Sequence, residues 1–317
     1  MTPSPTLQDV LLAHARIHPH VHRTPVLTCA TLDRATGARL HFKCENFQRV
    51  GAFKARGATN AVFSLGEEEA RAGVVTHSSG NHAAALAMAA GRRGIPAHIV
   101  MPEDAPQVKK DAVAAYGGRI VFCAPTLEAR EATCARIVAE TGARLVHPYD
   151  DERVIAGQGT AALELLEEVP DLDVVITPVG GGGLLSGTAI AVAGLASRTR
   201  VIGAEPDGAD DAFRSFRSGA RVPMVDPRTI ADGLRTSLGE TTFPIIQRLV
   251  DDIVTVSEAG IVDAMRQVLC FMKIVIEPSA AVPLAALTER RVDLAGRRVG
   301  IVLSGGNVDL DHLPWLR

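Results

Sequence analysis

Val174-Val175-Ile176-Thr177-Pro178-Val179-Gly180-Gly181-Gly182-Gly183-Leu184-Leu185-Ser186-Gly187 is the stretch on which the reading of this chain turns. Val174–Thr177 is β-branched and apolar on both faces, as a parallel strand covered by helices should be. A helical pattern over residues 183–196 follows directly. Four consecutive glycines cost backbone entropy, so something must approach the main chain closely there. A phosphate taking successive N–H groups at a helix start is the obvious occupant. No Gly-Lys-Ser/Thr follows, so this is not a P-loop. The strict Gly-x-Gly-x-x-Gly register is also missing, although Glu205 ends the next strand. A dinucleotide reading is weakened without being removed.

The same alternation extends in both directions. Further strands are expected at Leu40–Lys43, Val74–His77, Ala97–Met101, Arg119–Phe122, Val201–Ala204 and Val299–Leu303. Between them lie helical patterns at about 82–93, 106–116, 126–140, 154–168, 258–273 and 279–289. Gly94-Ile95-Pro96 and Tyr116-Gly117-Gly118 read as helix exits. Regular alternation predicts an α/β fold with right-handed crossovers. The strand–helix units from about 72 to 147 form one block and the chain after about 150 a second. No repeat period stands out.

Composition narrows the function. Apolar residues make up 47% of 317, and Lys plus Arg (33) nearly balances Asp plus Glu (36). That speaks against disorder, a broad nucleic-acid surface or an anionic-membrane surface. No apolar run is long enough for a membrane span, and Met-Thr-Pro-Ser-Pro-Thr does not open a secretory signal. A soluble, cytoplasmic protein is the expectation. The five cysteines (29, 44, 123, 134 and 270) form no Cys-x-x-Cys and read as reduced, mostly buried thiols. The histidines make no zinc pattern; His14, His18, His20 and His22 read as surface or packing residues. No Gly-x-Ser-x-Gly elbow supports a hydrolase triad.

Several stretches could carry chemistry. In Gly51-Ala52-Phe53-Lys54-Ala55-Arg56-Gly57-Ala58, a lysine stands among small and apolar residues at a helix start. Desolvation and a positive helix terminus would both disfavour its charge and leave a nucleophilic amine; a lone lysine there also fits a snorkelling surface side chain. Ser78-Ser79-Gly80-Asn81-His82, after strand 74–77, offers hydroxyls, an amide and free N–H groups to a carboxylate, or simply an N-cap. Leu303-Ser304-Gly305-Gly306-Asn307 places a hydroxyl at a strand's C-terminal edge, where ligands bind in such sheets, or forms an ordinary turn. Glu205-Pro206-Asp207-Gly208-Ala209-Asp210-Asp211 suits a hard cation or a solvated acidic loop, and by itself the loop is the readier account.

Taken together, one lysine, a carboxylate loop, a glycine loop and a late serine resemble the fold-type II pyridoxal-phosphate enzymes, in particular the serine/threonine dehydratase and serine racemase family. The resemblance runs from Thr24-Pro25-Val26-Leu27 to Asn307-Val308-Asp309-Leu310. It includes Phe42-Lys43-Cys44-Glu45, His147-Pro148, Ile155-Ala156-Gly157-Gln158-Gly159-Thr160, Ala231-Asp232-Gly233-Leu234 and Glu277-Pro278-Ser279-Ala280. It implies a two-domain, tryptophan synthase β-like architecture, each domain a mostly parallel sheet flanked by helices. Residues 1–68 and 149–317 would form the large cofactor-binding domain and 69–148 a small domain that closes on substrate.

The resemblance also implies roles. Lys54 would hold pyridoxal 5'-phosphate as an imine and then serve as acid and base on one face. Phe53 would pack beside the ring, Asn81 would bond its phenolic oxygen, and Ser304 would meet its nitrogen. Gly180, Gly181, Gly182 and Gly183 would cradle the phosphate, with Leu184 opening the helix behind them. Ser78, Ser79, Asn81 and His82 would surround the substrate carboxylate, with Arg130 and Thr236 at further substrate-side positions. Glu205, Asp211 and the Ala209 carbonyl match a site for Mg2+ (or Ca2+ or Mn2+), which shifts the acidic loop towards metal. Ala52 and Ala83-Ala84 depart from the family's common residues without removing a reacting group.

The activity implied is ammonia-lyase (dehydratase) chemistry on a 3-hydroxy amino acid, with L-threonine or L-serine as default. A neutral serine opposite the ring nitrogen favours elimination over transamination. The alternatives are a serine or aspartate-type racemase with side elimination, and a 3-hydroxyaspartate ammonia-lyase in which Arg130 meets a second carboxylate. Ser79 discriminates among them, because racemisation needs a proton donor on the face opposite Lys54. A non-catalytic ligand-binding module and a nucleotide-binding oxidoreductase are the readings from other classes. Relatives are mostly homodimers, so a homodimer is expected, with a small amino acid as its ligand and neither nucleic acid nor membrane as partner. Only Asp311–Arg317 lie beyond the last matched segment, which leaves no room for a C-terminal regulatory domain and suggests a catabolic or detoxifying role.

Overall fold

The computed structural model describes residues 4–78, 80–105 and 107–316. The first half of the chain runs α1 (Leu7–Ile17), β1 (Val26–Leu27), α2 (Ala30–Thr36), β2 (Arg39–Cys44), α3 (Lys54–Phe63), α4 (Glu67–Ala72), β3 (Val74–His77), α5 (Asn81–Arg93), β4 (Ala97–Pro102), α6 (Gln107–Ala115), β5 (Arg119–Cys123), α7 (Leu127–Thr141) and β6 (Arg144–Leu145). The rest runs α8 (Glu152–Glu168), β7 (Val174–Pro178), α9 (Gly183–Leu195), β8 (Arg200–Pro206), α10 (Asp211–Ser218), α11 (Thr242–Leu249), β9 (Asp252–Val256), α12 (Glu258–Gln267), α13 (Pro278–Thr288) and β10 (Arg298–Leu303). The strands sort into two sheets. One has six strands in the order β1-β2-β10-β7-β8-β9; the other has four in the order β5-β4-β3-β6. Every pairing is parallel except β1 with β2. The expected α/β alternation is therefore realised twice, in separate sheets.

Central strands bury both faces. β7 is covered along its whole length, which is why Val174–Pro178 carries no alternating polar residue. The helices between the sheets are equally enclosed. α3 packs against α8 and α5, and α8 packs against α9. Those crossings are tight because small residues meet. A Cβ on Gly57 would lie 2.8 Å from the Val154 carbonyl oxygen, and one on Gly187 would lie 2.5 Å from the Ile155 carbonyl oxygen. Distances under 3 Å to backbone leave no room for a side chain, so Gly57 and Gly187 let these helices cross closely.

Every expected strand and helix is present, and the chain adds elements the pattern did not give, among them β9 at the edge of the six-stranded sheet and the helices α1, α2, α4, α10 and α11. Gly94 ends α5 in the left-handed conformation, as its helix-exit reading requires. The helix expected over 258–273 is regular only to Gln267. A π turn over Val268–Met272 follows, and Lys273 then turns left-handed. Four cysteines are buried and Cys270 is exposed, all unpaired. Among the described residues no helix is long and apolar enough to cross a membrane.

One buried cluster fixes the start of α3. Arg56 donates from Nε to Glu45 Oε2 at 2.7 Å and from Nη2 to Glu164 Oε2 at 2.7 Å. Lys43 Nζ donates to the same Glu164 oxygen at 2.7 Å and to the Thr24 carbonyl at 2.6 Å. Two cations thus face two carboxylates out of water. Charge-assisted bonds hold the Glu164 carboxyl down at about 2 despite its burial, and raise Arg56. This arrangement occupies the Phe42-Lys43-Cys44-Glu45 match and locks α3 to β2 and α8.

Candidate active site

Lys54 and Ser304 are 250 positions apart in sequence and neighbours in space. The turn before α3 pairs with the turn after β10. Ala52 and Gly305 form an antiparallel bridge, Phe53 N donates to the Ser304 carbonyl at 3.0 Å, and Gly306 N donates to the Gly51 carbonyl at 2.9 Å. Gly51 adopts φ +69°, and a Cβ there would collide with Asn307 Oδ1 at 2.5 Å. Glycine is therefore required where the lysine turn meets the serine turn.

From this clasp the Lys54 side chain reaches Nζ to the Pro148 carbonyl at 2.7 Å, 5.1 Å from the centroid of Phe53. A neutral carbonyl is a weak partner for an ammonium. Enclosure of the amine lowers its pKa to about 8, with only the attraction of Glu277 opposing. The snorkelling reading does not hold, because the amine points inward. Glu277 is itself buried, and burial raises its carboxyl to about 7.

Asn81 opens α5 between the two units. Its Nδ2 donates to both Glu277 oxygens at 3.0 Å, while its Oδ1 accepts from Asn307 Nδ2 at 2.9 Å. His82 is buried. Its Nε2 bonds the Val146 carbonyl at 3.2 Å, its Nδ1 has no partner among the described residues, and desolvation pushes its pKa well below the usual value. It is therefore a neutral ring anchoring the segment that carries His147. Ser78 Oγ accepts from Gly80 N at 3.3 Å, within the turn. Ser79 lies outside the described residues.

The glycine loop is buried and leads into the first turn of α9, where the N–H groups have no intrahelical acceptor. Close approach to its backbone is real, but the protein supplies much of it. A Cβ on Gly181 would fall 2.2 Å from Tyr149 Cγ, one on Gly183 3.1 Å from Tyr149 Cα, one on Gly180 3.0 Å from Leu234 Cα, and one on Gly182 2.8 Å from Thr242 Oγ1. A phosphate alone is thus too narrow an account of why four glycines stand in a row.

Beyond the amine, three rings line up. His147 meets His77 edge-on at 5.6 Å and Tyr149 edge-on at 4.6 Å. His147 Nδ1 accepts from Asp150 N at 2.9 Å, so its proton sits on Nε2; burial and its neighbours lower its pKa to about 4. Arg130, in the first turn of α7, is near enough to disfavour a proton on His77, although desolvation is the larger cause there. Arg130 Nε is buried with no partner among the described residues. Thr236 Oγ1 lies 2.8 Å from Tyr149 Oη. Glu277, His77, His147 and Tyr149 receive no role from the sequence. Two of them fall inside matched segments, Glu277-Pro278 and His147-Pro148, which was the available signal.

The acidic loop divides in two. Asp207 and Asp210 pair with Arg291 and Arg214 at its surface. Glu205 and Asp211 are wholly buried, which corrects the solvated-loop reading for those two. Glu205 accepts from Ala212 N and Phe213 N, Asp211 Oδ2 accepts from Leu238 N, and Asp211 Oδ1 has no partner among the described residues. Desolvation is the main cause that raises both acids, Asp211 to about 6. No cluster of three or more His, Cys, Asp and Glu side chains suited to a metal exists among the described residues. The donor set here is two carboxylates and the carbonyl of buried Ala209.

Comparison with known proteins assigns the class. Residues 17–305 match the pyridoxal-phosphate dependent enzyme family, and this chain belongs to it. It is 55% identical over 311 residues to the beta-hydroxyaspartate dehydratase of Paracoccus denitrificans, covering 98% of this chain and 99% of that protein. It is 50% identical over 313 residues to the L-threo-3-hydroxyaspartate ammonia-lyase of Saccharomyces cerevisiae, covering 98% and 96%. The crystal structure of serine racemase from Dictyostelium discoideum superposes with a TM-score of 0.94 at 50% identity, covering 97% of this chain and 100% of that one. The fold is that of the fold-type II enzymes. Pyridoxal 5'-phosphate fits the residues present: an enclosed, readily neutralised amine for its aldehyde, a helix N-terminus for its phosphate and a buried serine opposite.

Proposed function

We propose that this protein is an ammonia-lyase for 3-hydroxyaspartate, releasing ammonia and oxaloacetate, in preference to serine or threonine. The observation that carries the reading is Arg130. A buried guanidinium nitrogen without a partner among the described residues, near the half-buried His77 ring, suits a second carboxylate that serine and threonine lack. The two hydroxyaspartate-cleaving relatives, matched over nearly their full lengths, support it.

Pyridoxal 5'-phosphate, when bound, supplies a ring that accepts electron density from the substrate α-carbon. Lys54 would hold it, and its free amine would take the α-proton at Nζ, with the Pro148 carbonyl fixing the direction of the side chain. A pKa of about 8 makes Lys54 both an adequate base and an adequate acid near neutral pH. Ser304 would serve as a neutral partner of the ring nitrogen, Gly180–Gly183 and the start of α9 would take the phosphate, and Phe53 would flank the ring. Asn81, held by Glu277 and Asn307, presents its amide to the ring oxygen. Ser78 and Ser79 would receive the α-carboxylate. Ser79 also permits proton return from the opposite face, so racemisation accompanies elimination as a minor activity.

Residues 69–148 act as the smaller domain that closes over the substrate and excludes water. Glu205, Asp211 and the Ala209 carbonyl hold a divalent cation. The unpartnered Asp211 oxygen and two buried acids side by side favour a charge between them. The working unit is a homodimer.

A steady-state panel of serine, threonine and 3-hydroxyaspartate stereoisomers tests the reading, with oxo acid and enantiomer both assayed, in magnesium and in chelator. The expected kcat/KM is highest for one 3-hydroxyaspartate isomer. Arg130→Met lowers that value about 100-fold while sparing serine turnover. Faster turnover of serine or threonine by the wild-type enzyme, or equal losses on all substrates in Arg130→Met, overturns it.

A further inference from the structure

The segment from His147 to Asp150 lies between β6 and α8 and touches the lysine, His77, the glycine loop and Thr236. Pro148 receives the Lys54 amine. The Tyr149 ring lies against Gly181, and its Cα, Cβ and carbonyl lie against Gly183. Asp150 accepts from Glu240 N at 2.9 Å and Thr241 N at 2.8 Å, while Thr242 Oγ1 donates to the Gly181 carbonyl at 2.8 Å. One contact in this web is not explained by packing: the 2.8 Å hydrogen bond between Tyr149 Oη and Thr236 Oγ1. A phenylalanine would pack on the glycines equally well. Among the described residues the hydroxyl bonds only Thr236.

We propose that Tyr149 is a positioning residue for substrate recognition: its phenol donates to Thr236 Oγ1 and thereby turns the Thr236 O–H towards a substrate oxygen. The inference rests on the expectation, drawn from the resemblance, that Thr236 stands on the substrate side; Leu234, two residues earlier, lies against Gly180. A phenol is a far stronger acid than an aliphatic alcohol, so the phenol is the donor of the pair. Its proton is secure, since burial raises Tyr149 above its ordinary value. With its lone pair engaged by the phenol, Thr236 has its own proton free to give. The ring meanwhile keeps that hydroxyl in register with the glycine loop, so recognition of substrate and placement of the cofactor phosphate share one side chain.

A double-mutant cycle on the holoenzyme tests this, using Tyr149→Phe, Thr236→Val and both together. The primary probe is malate, which carries two carboxylates and a hydroxyl but no amine to react, titrated calorimetrically. KM and kcat on the best substrate of the wild type, the cofactor absorbance and the melting temperature are read alongside. Tyr149→Phe should weaken malate binding and raise KM about 3- to 10-fold, with little change in kcat, bound cofactor or melting temperature. Thr236→Val should lose at least as much, and the double variant no more than Thr236→Val alone. Additive losses, no loss in Tyr149→Phe, or a loss that tracks cofactor release overturns the proposal. If the wild type ignores malate and prefers serine, the dicarboxylate reading fails, and the same cycle on serine KM still decides the role of Tyr149.

Discussion

Lys54 and Arg56 are two residues apart on one helix and live under opposite rules. Arg56 is surrounded by Glu45, Glu164 and Thr160, and each bond it makes is matched by a partner that needs it. Lys54 is enclosed with one neutral carbonyl and an acid, Glu277, whose own charge is disfavoured. The first cluster satisfies its charges and stays fixed. Around the second, an imidazole nitrogen of His82 and a guanidinium nitrogen of Arg130 have no partner among the described residues. Buried polar groups without partners cost stability, so they persist where a ligand completes them. The contrast separates the part of α3 that holds the fold from the part that reacts.

The largest effect should come from Lys54→Ala, which removes anchor and base together. Activity should fall by more than about 1,000-fold with little loss of thermal stability, and hydride trapping should find no cofactor adduct. A trapped adduct on another lysine would break the assignment. Arg56→Met strands the buried Glu45 carboxylate, leaves Glu164 with Lys43 as its one cationic partner of the cluster, and should cost about 3–5 kcal/mol in denaturant unfolding. A change under about 1 kcal/mol would put the cluster on a par with surface pairs.

The pH dependence sharpens the comparison further. Neutral amine is the form that captures an aldehyde, so cofactor loading of the apo-protein should accelerate as pH rises through about 8 and then level off. A midpoint near the ordinary lysine value would mean the amine is solvated. Glu277→Gln removes the one attraction opposing desolvation, so the midpoint should move lower and loading at pH 7 should quicken roughly 3- to 10-fold. The smallest effect belongs to Arg136→Ala. Its i,i+4 pair with Glu140 is more than half exposed at both ends, and stability should change by less than about 0.5 kcal/mol.

Much of this was legible in the residues. Val174–Thr177 and the glycines after it announced a strand, a turn and a helix, because a strand buried on both faces has only apolar residues to offer. Lys54, the glycine loop and Ser304 stood out by type and position. Other features were silent. Nothing in the spacing of His77, His147 and Tyr149 marks them, since they meet through tertiary packing, and Tyr149 finds Thr236 across 87 positions. The burial of Glu205 and Asp211 was equally hidden, because an acidic stretch reads the same whether it faces water or the end of a sheet. The elements β1 and β6 are two residues long, too short to show a period, and α10 and α11 are amphipathic but only eight residues each. The π turn after α12 leaves no mark in the hydrophobic pattern.

β10 is the last strand in the chain, yet it lies between β2 and β7 in the middle of its sheet. A growing chain leaving the ribosome would carry Lys54 into solution long before the strand that builds its floor has been made. Until that strand inserts, β2 and β7 each present a bare edge, and the amine has no serine turn to lie against. Vitamin capture is thereby deferred to the close of synthesis, and a prematurely terminated product would be left with sticky borders and no coenzyme.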